Sequence, residues 1–114
     1  MNFPIAKRFT EEGKKKVVWV DIDETICFYD GERRYDLAIP SYDNIAKINK
    51  LYDSEEWRVI YWTARGSTSG IDYSEFTVEQ LVKWGCKFHE LRCGRVKGHF
   101  DMIIDDKAKR IEEL

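Results

Sequence analysis

Cysteine and histidine are scarce in this chain. Its three cysteines, Cys27, Cys86 and Cys93, are odd in number and include no Cys-x-x-Cys pair. Neither a disulfide framework nor a zinc knuckle is suggested, and reduced thiols in a cytoplasmic protein are the simplest reading. The two histidines, His89 and His99, do not pattern with the cysteines as a soft-metal site would require. No apolar run approaches the ~18–20 residues of a membrane span, and no signal-peptide core follows Met1. Charge of one sign is also missing: 19 Lys and Arg against 21 Asp and Glu leave a net charge of −2. Such a balance gives no general attraction to nucleic acid or anionic lipid. A soluble protein is expected, with neither nucleic acid nor a membrane among its partners.

What the chain has is a core. Hydrophobic residues make up 43% of its 114 residues, with six Phe, six Tyr and four Trp, too many aromatics for a disordered chain. The length suits one domain of ordinary size. Residues 1–16 read as a polar, basic lead-in: five Lys or Arg and two Glu give +3, and the Lys14-Lys15-Lys16 run reads as a solvated approach to a strand. Residues 17–114 read as a single domain.

Val17-Val18-Trp19-Val20 is β-branched and aromatic without polar interruption, as in a strand of a parallel sheet buried on both faces. Residues 24–40 hold Gly31, Pro40 and several charges, an irregular excursion or small hairpin. Ser41 is placed to cap a helix whose stripe is Ile45, Ile48 and Leu51, ending near Tyr52. Val59-Ile60-Tyr61-Trp62 is a second buried strand, followed by a flexible loop, Gly66 to Gly70. Thr77-Val78-Glu79-Gln80 has the form of a capping box, with Leu81 and Trp84 continuing the helix until Gly85 closes it. Phe88 to Leu91 and Met102-Ile103-Ile104 read as third and fourth strands, and residues 107–114 as a final helix. Strands alternating with helices predict right-handed crossovers and an α/β fold: a three-layer α/β/α sandwich on a Rossmann-like parallel sheet.

Each long strand runs into polar residues at its carboxyl end, where open α/β sheets bind ligands. The first leads to Asp21-Ile22-Asp23-Glu24-Thr25, the second to Thr63-Ala64-Arg65-Gly66, and the fourth to Asp105-Asp106-Lys107. Four aspartates converging on one volume would repel, so a cation is expected, and hard oxygen donors in a partial shell select Mg²⁺. Phosphoryl transfer needs an in-line nucleophile, an acid for the leaving oxygen and positive charge around the equatorial oxygens. Asp21 can be the nucleophile and Asp23 the acid/base, while the Thr63 hydroxyl and a lysine can hold phosphoryl oxygens.

In order and spacing these residues resemble the haloacid dehalogenase (HAD) superfamily of phosphohydrolases, over about Val17 to Ala108. The resemblance implies Asp21 as the nucleophile and Asp23 as the acid/base. It implies Mg²⁺ held by the carboxylates of Asp21 and Asp105 and the main-chain carbonyl of Asp23, with Asp106 supporting the site. Lys97-Gly98-His99-Phe100-Asp101 is similar to the family's Lys-Pro-x-x-Asp segment, with Gly98 in place of proline, and makes Lys97 the lysine of the site. Thr63, Ala64, Arg65 and Lys97 are then the substrate-binding set, although Arg65 reads equally well as a residue that stabilises its own loop.

The second aspartate of the first motif argues for phosphoester cleavage over dehalogenation. An acidic pair that closes the motif series, rather than opening it, argues against a receiver domain. Substrate choice in the superfamily usually depends on an inserted cap. Only 17 residues separate Asp23 from Ser41, enough for a flap, and the 33 between Thr63 and Lys97 already hold a helix and a strand. No cap fits, so the site is expected to be open or to borrow a lid from a second copy of the chain in a homo-oligomer. Within the superfamily the short length and Thr63-Ala64-Arg65-Gly66 resemble the small capless phosphatases of capsule and surface-polysaccharide synthesis. The substrate so implied is a small phosphorylated metabolite, a sugar phosphate or a related compound. Two alternatives stand beside it: an aspartate-based phosphoprotein phosphatase, and a non-catalytic domain that binds phosphate or a partner.

Overall fold

The computed structural model describes residues 15–94 and 101–105 of the chain. The final helix expected over 107–114 and most of the basic lead-in lie outside the described residues, as do Lys97 and Asp106.

Four strands form one sheet: β1 (Lys16–Asp21), β4 (Trp57–Thr63), β5 (Glu90–Cys93) and β6 (Met102–Ile104), in the order β5-β4-β1-β6 with every neighbouring pair parallel. Helices α1 (Tyr42–Asp53) and α2 (Ser74–Lys83) flank it, giving a small Rossmann-like α/β fold. The chain leaves β1 on one side, through α1 to β4 and α2 to β5, and returns to its other side as β6. The strand order therefore reverses at β1, the position in open α/β sheets where a crevice opens beyond the strand ends.

Alternation of side chains explains the core. Val18 and Val20 of β1 stand beside Val59 and Tyr61 of β4 on one face, where Ile45 and Ile48 of α1 and Leu81 and Trp84 meet them in one cluster. The opposite face presents Trp19 and Ile60, which are paired in register and also buried. A strand buried on both faces needs an apolar residue at every position, which is why Val18 to Val20 carries no polar interruption.

Two helix ends lie where their local signals place them, and one does not. Ser41 caps α1, its hydroxyl accepting from the Asn44 N–H at 3.3 Å. Gly85, at φ +76°, ends α2 in the left-handed conformation, with Cys86 N–H donating to Leu81 and Gly85 N–H to Val82, the hydrogen bonds of a Schellman turn. The capping box expected at Thr77 is not one. Helix α2 begins at Ser74, and Thr77 and Gln80 lie inside it, turned toward Arg65. A three-residue spacing puts two side chains on one helical face wherever it occurs, so the same pattern serves a cap or a side-chain partner. The third strand is also displaced, to Glu90–Cys93, because Phe88 packs edge-on against Tyr61 before the ladder with β4 starts at Ile60 and Glu90.

Residues 24–40 form the small hairpin expected of them. β2 (Cys27–Phe28) pairs antiparallel with β3 (Ile39–Pro40), and a 3₁₀ turn over Tyr35–Leu37 lies between them. This is a flap rather than a cap domain.

Candidate active site at the carboxyl ends of β1, β4 and β6

The parallel ladders bring three of the motif residues to one edge of the sheet. Asp21 is the last residue of β1 and pairs with Trp62, so Thr63 lies one step further along β4. Val20 pairs with Ile104 on the other side, and continuing that register sets Asp105 beside Asp21, on strands about 4.8 Å apart. Asp21, Asp23 and Thr63 line a cavity of about 390 Å³ together with Ala64, Arg65 and Arg33.

Asp21 stays half-exposed at the strand tip, one carboxylate oxygen accepting the Ile22 N–H at 2.9 Å. Beyond it the chain turns sharply: Thr25 and Ile26 N–H both return to the Ile22 carbonyl, and Glu24 takes φ +68°. A non-glycine residue in the left-handed region costs of order 1–2 kcal/mol. Here the strained turn is what carries Asp23 back under the flap.

Asp23 is buried among partners. Arg65 grips its carboxylate with two parallel bonds, Nε to Oδ2 at 3.0 Å and Nη2 to Oδ1 at 2.7 Å, and the Tyr29 hydroxyl donates to Oδ1 as well. Burial by itself would raise the Asp23 pKa. The Arg65 hydrogen bonds and charge, with the Tyr29 hydroxyl, outweigh it and hold the carboxyl below its ordinary value. The neighbouring Cys27 thiol, fully buried, is pushed up to about 12 by burial and by the Asp23 charge. Tyr29 is likewise raised, by burial and by its bond to Asp23.

Arg65 has little to offer a ligand. Its side chain is 0% exposed, its Nη1 reaches Gln80 Oε1 at 2.8 Å and Thr77 Oγ1 at 3.3 Å, and its plane lies over the Tyr35 ring at 4.6 Å. Of the two roles open to it from sequence, the geometry supports the second: it ties the loop after β4 to the turn after β1. Thr63 is nearly as buried, and its Oγ1 accepts the Arg65 N–H at 3.1 Å. A hydroxyl that accepts one bond still has a hydrogen to donate. Ala64 lines the cavity through its position in the same turn.

The donors present fit a hard cation. Asp21 and Asp105, on neighbouring strand ends, could offer carboxylate oxygens to an ion, whereas the Asp23 carboxylate is taken up by Arg65 and could offer only its main-chain carbonyl. Among the described residues no three potential side-chain ligands converge. Two carboxylates suit Mg²⁺, which keeps waters and substrate oxygens in its shell, better than an ion that needs an all-protein cage.

The sequence alone does not single out Tyr29, Tyr35 or Arg33. Nothing in their spacing marks them; the hairpin alone folds them onto Asp23 and Arg65. Thr77 and Gln80 did carry a signal, read as a cap.

The fold is a known one. The chain is similar to a protein from Vibrio cholerae whose crystal structure was determined as an MCSG target, with 24% identity over 86% of this chain and 85% of that one and a TM-score of 0.67. No family model matches the sequence, and no curated protein matches it. Among the described residues no helix is long and apolar enough to cross a membrane.

Proposed function

We propose that this chain is a Mg²⁺-dependent phosphatase that hydrolyses the phosphomonoester of a small metabolite, a sugar phosphate, through an aspartyl phosphate on Asp21. The observation that carries the reading is the cavity that Asp21, Asp23 and Thr63 line together, at the sheet edge where the register of β6 brings Asp105 beside Asp21. The HAD-like order of the motifs supports it independently. The three free cysteines suit a reducing cytoplasm.

In the first half-reaction an Asp21 carboxylate oxygen attacks phosphorus, the bond from phosphorus to the ester oxygen breaks, and that oxygen leaves with a proton delivered by Asp23. Thr63 donates its hydroxyl hydrogen to a phosphoryl oxygen. In the second half a water oxygen attacks phosphorus, the bond to Asp21 breaks, and the water's proton passes to Asp23. Mg²⁺ held by Asp21, Asp105 and the Asp23 carbonyl would offset the repulsion between carboxylate and phosphate.

Asp23 at rest is in its basic form, as the second half requires. Its acid role in the first half needs a proton that the Arg65 pair opposes. That proton can come from the substrate, because a phosphomonoester carries one below its second pKa of about 6, and Asp23 relays it to the leaving oxygen while Arg65 stays in place.

Phosphate release from a panel of sugar phosphates, nucleotides and phosphopeptides, with Mg²⁺ and with chelator, tests the proposal. Turnover of sugar phosphates that chelator abolishes is expected, with Asp21→Asn inactive and Thr63→Ala reduced about 10²–10³-fold in kcat. Full activity in Asp21→Asn overturns the mechanism, and turnover of phosphopeptides alone replaces the substrate class.

A further inference from the structure

A second cavity, of about 520 Å³, lies between the flap and the loop after β4. It shares Arg33, Tyr35, Ala64 and Thr68 with the cavity around Asp21, so the two are contiguous. Its volume falls within the range of small-molecule sites. Its chemistry is uneven. Tyr35 and Tyr73 meet edge to face at 5.0 Å, and Tyr73 meets Phe76 at 6.2 Å, giving an aromatic wall. Hydroxyls at Thr68 and Ser69 stand with them, and two arginines, Arg33 and Arg34, outnumber the one carboxylate, Asp36.

Arg33 is the arginine common to both cavities. Its partner is Glu24, at 3.0 Å, and both side chains are about half exposed, 50% and 42%. An ion pair so open to water contributes little, so a ligand anion can take Glu24's place at low cost. Arg65, by contrast, is buried and fully engaged with Asp23. Of the two, Arg33 is the one that a substrate can recruit.

Building on the phosphatase reading, we infer that this cavity receives the leaving group, and that Arg33 recognises a second anionic group carried by it. The substrate class is then a sugar phosphate with a further phosphate or carboxylate on the ring. The aromatic wall faces the ring, the Thr68 and Ser69 hydroxyls meet its hydroxyls, and the guanidinium takes the second anion.

The test compares glucose 6-phosphate with glucose 1,6-bisphosphate in Mg²⁺, using wild type, Arg33→Ala, Arg33→Lys and, as a control for lost charge, Arg58→Ala at the far end of β4. Wild type is expected to prefer the bisphosphate in kcat/KM by about tenfold or more, with the difference lying in KM. Arg33→Ala should bring the ratio to about one, Arg33→Lys should restore part of it, and Arg58→Ala should keep it. A preference that survives Arg33→Ala, or no preference in wild type, overturns the inference. Calorimetric titration of the same bisphosphate separates the two levels of the proposal. Binding that Arg33→Ala weakens about tenfold, without hydrolysis, upholds the subsite and refutes the phosphatase reading. Hydrolysis of glucose 6-phosphate with no gain from the second phosphate does the reverse.

Discussion

Replacing Arg65 by Met removes the guanidinium that holds Asp23 while keeping much of the apolar length of the side chain. The pair is buried, at 0% and 10% side-chain exposure, and has good bidentate geometry. Breaking such a pair costs about 3–5 kcal/mol, because the remaining charge is left in a poor solvent. Asp23 borders the 390 Å³ cavity, so water can reach part of it and the lower end, about 3 kcal/mol, applies. Domains of this size are stable by about 5–15 kcal/mol, so the variant stays folded and measurable by urea denaturation with chelator present. The pH dependence should change sign. In the wild type Arg65 holds the Asp23 pKa below its ordinary value, so its contribution is complete above about pH 4 and is lost as pH falls through the folded-state value. In Arg65→Met burial acts without the opposing arginine and lifts that pKa above its unfolded value. Asp23 then favours folding most at low pH, and stability declines as pH rises through the raised value. The double variant Arg65→Met/Asp23→Leu should recover part of the loss, since no charge remains, but not all, because Gln80 and Thr77 lose a partner too. A loss below about 1 kcal/mol, or an unchanged pH profile, would refute the claim that this pair holds the turn together.

Gly66 sits at φ +83°, and a Cβ there would lie 1.9 Å from the Ile71 carbonyl oxygen; Gly66→Ala should lose more than about 2 kcal/mol in chemical denaturation, and retention of wild-type stability would show that the 66–71 loop yields freely. Thr25 buries a hydroxyl with no hydrogen-bond partner among the described residues, so Thr25→Val should gain about 1 kcal/mol, and an equal loss would reveal a bond that the hydroxyl makes. Thiol labelling of the native protein at pH 8 should modify exposed Cys93 within minutes. Cys27 and Cys86, raised by burial to about 12 and about 11, should label only on unfolding, and rapid labelling of Cys27 would mean that the pocket behind Asp23 opens readily.

The fold was legible in the sequence wherever burial is two-sided or a cap is local. Val17 to Val20 and Val59 to Trp62 have no other plausible use than central parallel strands, Met102 to Ile104 is a short apolar strand beside the first of them, and Ser41 and Gly85 act on their own neighbours. Because parallel strands end on one edge, the strand assignments also placed Asp21, Thr63 and Asp105 together. What could not be read is set by contacts across the chain. The bond between Arg65 and Asp23 spans 42 positions, and Tyr29 and Tyr35 reach the site only because the hairpin folds over it. Thr77 and Gln80 show how one spacing can be explained by two different partners, of which only the folded chain selects one.

β6 has a consequence for how the protein comes into being. It joins the sheet beside β1, and the join is sealed by the main chain and side chain of Asp101 on Val17, 84 positions apart. Until that late segment has been synthesised, β1 is a bare edge offering unpaired main-chain groups to any passing strand. The same interval lacks Asp105. A nascent chain is therefore most prone to aggregate while its acidic sheet edge is still incomplete, and a single docking event ends both conditions.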